Sequence, residues 1–213
     1  MESMSVKNII WINPVVEAMY DPDDLNEFLA HQGYQRVCHK INWGDVVLEK
    51  YRNAVAENSL PVMDMRCPKA VEEIKLRYHV SSLYYPDIEP ILLHCAREIS
   101  AEPAYSNAAK WIITPCRILA DEGNRLGLVR TRFLSWKDFL KEKCDMSKGP
   151  VPRGHRLEES PLPMGYFRDL PFKTQALSAR DFERNLSGFT TQAQLVEALY
   201  CQNGCSHGDG VLL

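Results

Sequence analysis

The feature that most constrains this chain is an alternation of β-branched runs with amphipathic stretches over its first 65 residues. Lys7–Asn13 (KNIIWIN) reads as a buried strand. Asp21 then caps a helix, with Pro22 at its first position, an apolar stripe at Leu25, Phe28 and Leu29, and Gly33 as its stop. Tyr34–His39 reads as a second strand, Asp45–Glu57 as a second helix and Leu60–Met65 as a third strand. The order predicts an α/β fold in two lobes: a parallel sheet flanked by helices, with a ligand site at the C-terminal ends of the strands.

Further along, Lys69–Tyr78 and Asp87–Glu98 read as helices, Ala109–Thr114 and Leu128–Phe133 as strands, and Ser135–Lys143 as a helix capped by Ser135. Residues 145–163 are rich in Pro, Gly and charge and read as a linker or loop. They divide an α/β lobe over 1–144 from a C-terminal segment over 164–213, packed on that lobe. In the segment, Phe172–Leu177 reads as a strand. Thr191–Tyr200 reads as a helix, with Thr191 and Gln194 spaced as a capping box, and it delivers Cys201 directly after its last turn.

The 213 residues carry a net charge of −3, which argues against the basic field a nucleic-acid partner needs. No stretch approaches the roughly 18 apolar residues of a membrane span, and the N-terminal residues lack a basic run followed by an apolar one. A cytoplasmic protein without a membrane partner is expected. The seven cysteines are odd in number and belong to a reducing compartment, so a disulfide framework is not expected.

Three of them, Cys38, Cys95 and Cys144, fall in or at the end of regular elements and read as packing residues. Cys67 and Cys116 each follow a strand directly, and each adjoins a proline (Pro68, Pro115). Cys201 and Cys205 form a C-x3-C pair, and glycines at 204, 208 and 210 let the backbone approach a bulky inorganic group. Four thiolates suit Zn²⁺ or an iron–sulfur cluster. Structural zinc is usually held by two close pairs, so one pair plus two single ligands favours the larger cluster; unrelated buried thiols compete with it evenly. A cysteine nucleophile would need a base beside it, and no histidine is placed for that role.

The pieces Arg66-Cys67-Pro68, Thr114-Pro115-Cys116 and Cys201-Gln-Asn-Gly-Cys205-Ser-His-Gly-Asp-Gly resemble the three cysteine motifs of the C-terminal domain of iron-only ([FeFe]) hydrogenases. Tyr85-Pro86-Asp87-Ile88 resembles the Tyr-Pro-Glu-Leu that follows the first motif in that family. The resemblance covers roughly residues 58–122 and 190–210. It implies that Cys67, Cys116, Cys201 and Cys205 ligate one [4Fe–4S] cluster, with a ferredoxin or a larger oxidoreductase as redox partner. The chain departs from the family where hydrogen is turned over. Arg66 stands in place of the proton-relay cysteine, Leu119 in place of the lysine that holds a cyanide of the two-iron unit, and Thr114 in place of a methionine. The expectation is therefore an iron–sulfur protein of electron transfer, redox sensing or cluster handling. An active hydrogenase-type enzyme and a zinc-binding or structural protein stand as alternatives.

Overall fold

The computed structural model describes residues 8–77, 82–162, 164–183 and 189–211. The elements run β1 (Asn8–Ile12), α1 (Pro14–Glu17), α2 (Pro22–His31), β2 (Gln35–Arg36), α3 (Trp43–Glu57), β3 (Val62–Met63), α4 (Pro68–Arg77), α5 (Ile91–Ala101), β4 (Ala109–Thr114), α6 (Arg117–Arg125), β5 (Thr131–Ser135), α7 (Trp136–Lys143), β6 (Thr174–Leu177), α8 (Ala179–Glu183) and β7 (Leu195–Ala198). They fold as two units, one of residues 1–41, 92–161 and 206–213, the other of residues 42–91 and 162–205. Residues 145–161 lie in the first unit.

The first unit holds a parallel sheet in the order β2-β1-β4-β5. Its two central strands are buried and apolar, with Ile9, Ile10, Ile112 and Ile113 fully enclosed, as expected of a parallel sheet covered on both faces. The caps follow the sequence closely. Asp21 accepts hydrogen bonds from the N–H groups of Asp23 and Asp24, and Gly33 ends α2 with φ +84°. Ser135 caps α7 by accepting from the N–H of Asp138. Asn13 caps α1 and donates its side-chain amide to the Ile113 carbonyl at 2.9 Å, tying the ends of β1 and β4 together.

The second unit holds a smaller parallel sheet in the order β3-β7-β6. One apolar cluster gathers Met63, Ile74, Val196 and Ala198. Another gathers Val47, Tyr51, Phe167 and Leu195.

The α/β class and the parallel pairing agree with the sequence reading; several particulars do not. The third strand of the opening alternation, β3, does not extend the sheet of β1 and β2 but starts the second sheet. Tyr34–His39 and Leu60–Met65 each shrink to two paired residues. The Thr191–Tyr200 helix is a strand, β7, the centre of the second sheet. All four of its residues are buried, and a run apolar enough for burial on both faces of a sheet satisfies helical spacing equally well. Thr191 does not cap a helix there; its hydroxyl accepts from the N–H of Ala193, two residues on. The Lys69–Tyr78 helix begins one residue early, at Pro68, and Tyr78 lies outside the described residues.

Gly123 shows how tightly the first unit is packed. A Cβ there would lie 2.3–2.5 Å from the ring of Phe133, itself fully buried. Glycine to alanine inside a helix ordinarily stabilises by about 1 kcal/mol. Here overpacking reverses the sign. Gly123→Ala is expected to destabilise by about 1–3 kcal/mol in chemical denaturation.

Candidate functional site

In the second unit, Cys67 sits at the turn from β3 into α4, where the first helical bond runs from the Val71 N–H to the Cys67 carbonyl. Burial raises the Cys67 thiol pKa. The backbone N–H groups of Tyr200, Ala70 and Lys69 oppose that by favouring the thiolate, and the nearby Asp64 charge adds to the rise. Two of these donors are the first N–H groups of a ten-residue helix, whose positive end also favours an anion. The third belongs to the residue directly before Cys201. Cys67 and Tyr200 both pack on the Met63–Ala198 cluster. Between Cys201 and Cys205 the chain makes a tight turn, with Asn203 and Gly204 both left-handed (φ +59° and +86°) and the Gly204 N–H donating to the Cys201 carbonyl at 3.1 Å.

Arg66, beside Cys67, is enclosed in a buried ionic cluster. Its guanidinium donates to both oxygens of Asp64 at 2.8–3.1 Å and to Oε1 of Glu197 at 2.6 Å. It also lies 4.1 Å from the Tyr166 ring centre and 4.8 Å from that of Phe167. Burial acts to lower the Arg66 pKa, but Asp64 and Glu197 outweigh it and hold the group above its ordinary value. Glu197 accepts further bonds from the N–H groups of Gly165 and Tyr166. Asp64 accepts from the Tyr51 hydroxyl, which in turn accepts from the Met65 N–H. Removing either partner of such a pair leaves a buried uncompensated charge, at a cost of about 3–5 kcal/mol.

In the first unit, Cys116 is the residue before α6, extended at φ −150° and ψ 160°, and its side chain makes no capping bond. Asp209 and Gly210 pack beside it. The Gly210 N–H donates to the Pro115 carbonyl at 3.2 Å, and the Gly210 carbonyl accepts from the Lys137 N–H at 2.9 Å. Asp209 Oδ1 accepts from the Arg117 N–H at 3.1 Å. Ser206, at the head of this stretch, is fully buried, and its hydroxyl lies 3.1 Å from His207 Nδ1. One of the chain's crossings from one unit to the other falls between Cys205 and Ser206.

None of the seven cysteines is in a disulfide. Cys95 is buried, and burial with the Glu98 charge pushes its thiol up to about 12. Burial does the same to Cys144. Both are poor nucleophiles, in line with a packing role. Cys38 is exposed rather than packed in a strand; β2 ends two residues before it. Among the described residues, no three His, Cys, Asp or Glu side chains gather closely enough to hold a metal ion.

Sequence reasoning missed Asp64, Glu197 and Asp209. Glu197 had a usable signal: a lone acid inside the apolar run Leu195–Leu199 must be paired if that run is buried. No protein-family model matches this chain, and no curated protein matches it.

Gly210 offers a direct test of the packing beside Cys116. A Cβ there would lie 2.6 Å from Ser135 Cβ and 3.0 Å from Cys116 Cα and the Pro115 carbonyl oxygen. Gly210→Ala is expected to lower stability by about 1–3 kcal/mol and to expose residues 206–211 to proteolysis. Both are readable by denaturation and by mass spectrometry of the cleaved ends.

Proposed function

We propose that this chain binds one [4Fe–4S] cluster through Cys67, Cys116, Cys201 and Cys205, and acts in electron transfer, redox sensing or cluster handling. The observation that carries the reading lies at Cys67: the first N–H groups of α4 and the N–H of Tyr200, the residue before Cys201, favour its thiolate within the second unit. In the first unit, Asp209 and Gly210 bind the residues on either side of Cys116. Two ligands at helix starts and two in a glycine-bearing loop are a donor set that fits an anionic iron–sulfur group.

Bound there, such a cluster supplies one-electron chemistry. The protein's own groups bind and tune it. The N–H groups of Lys69, Ala70 and Tyr200 stabilise sulfur charge at Cys67, which favours the reduced form. Asp64 opposes them. The resemblance to iron-only hydrogenases supports the cluster more than the hydrogen chemistry. Arg66, at the relay position, has its guanidinium committed to Asp64 and Glu197 and holds its proton too tightly to pass it on. Leu119 is buried and has no donor for a diatomic ligand. Hydrogenase activity is accordingly not part of the proposal. The role fits the cytoplasm, with a ferredoxin or larger oxidoreductase as redox partner and no nucleic acid. Among the described residues, no helix is long and apolar enough to cross a membrane.

Anaerobic reconstitution with iron and sulfide tests this directly. About four irons per chain and a brown chromophore are expected, with loss of both in Cys→Ser variants at 67, 116, 201 or 205 and no loss in Cys95→Ser. A colourless protein, or full iron in all four ligand variants, would contradict the assignment.

A further inference from the structure

The start of α6 is capped from a distance. A helix start leaves N–H groups in need of acceptors, and the preceding residue usually supplies one from a Ser, Thr, Asp or Asn side chain. Cys116 holds that place and makes no such bond. The Arg117 N–H, the first of the nine-residue helix, is taken by Asp209, 92 residues further along the chain. The acceptor is a side-chain oxygen at the positive end of the helix. Its neighbour Gly210 pairs with the strand end at Pro115 and with the first turn of α7 at Lys137. The Arg117 guanidinium turns away to a two-point pair with Asp138, at 3.0 and 3.1 Å, so Asp209 meets the backbone rather than the side chain of Arg117.

We propose that Asp209 is a positioning residue. It supplies the acceptor for the first N–H of α6, at a helix start that the Cys116 side chain does not cap. It also latches the loop carrying Cys205 while the chain is metal-free. The consequence for iron rests on the cluster reading above; the latch itself does not.

Two arms separate these. Amide exchange on the anaerobic, metal-free chain reads the latch alone. In Asp209→Ala, exchange at Arg117 and over residues 206–211 should rise about three- to tenfold, the range one exposed hydrogen bond supports. Asp209→Asn keeps an acceptor oxygen and should stay within about twofold of the parent. Amides of β1 and β4, such as Ile10 and Ile112, should be unchanged in both variants. Equal exchange in all three proteins overturns the latch. So does a rise that spreads through β1 and β4, or one equally large in Asp209→Asn.

The second arm follows cluster loss to a chelator after reconstitution. Asp209→Ala should bleach about three- to tenfold faster than the parent, with Asp209→Asn restored toward it. Equal bleaching in all three overturns the link to cluster retention. If the parent chain takes up no iron, the cluster reading fails, and the exchange result still decides the latch.

Discussion

The close approach of Gly210 to the ends of β4 and β5 is the constraint on which the rest of the first unit's site depends. No side chain fits there, because Ser135 Cβ, Cys116 Cα and the Pro115 carbonyl already occupy the space. With glycine, the backbone comes near enough to bond both Pro115 and Lys137, and Asp209 is carried onto the start of α6. A single small residue thereby fixes where the chain lies four and five residues after Cys205. Residues 206–211 are part of the folded first unit.

In the second unit the corresponding role falls to charge. Asp64, Arg66 and Glu197 form a buried cluster with two carboxylates and one guanidinium, beside Cys67 and joined to the Gly165–Tyr166 backbone. Burial of three charges is tolerated because they are paired with one another; among the described residues, no buried side-chain nitrogen or oxygen is left without a partner. The cluster leaves one net negative charge near Cys67. The Asp64 charge disfavours the Cys67 thiolate, so it opposes the N–H groups that favour it. Arg66 offsets one of the two carboxylate charges.

Much of the fold was legible because it rests on local rules. Asp21, Ser135 and Gly33 cap and stop their helices as their residue types require, and Ala109–Thr114 is paired over its whole predicted length. What escaped is non-local. Leu195–Ala198 carries an apolar pattern that fits helix and buried strand alike, and only its pairing with both β3 and β6 decides. The assignment of β3 to a second sheet depends likewise on partners more than a hundred residues away. Cys67, Cys116, Cys201 and Cys205 stood out by their place after strands and among glycines. Asp64, Glu197 and Asp209 did not, because an acid's partner is invisible until the chain is folded.

The most direct measurement is an anomalous difference map at the iron edge from crystals grown anaerobically after reconstitution. The account predicts one compact iron density per chain, bonded to the sulfurs of Cys67, Cys116, Cys201 and Cys205. Iron bound to other residues, or no iron density with these four thiols intact, would contradict it.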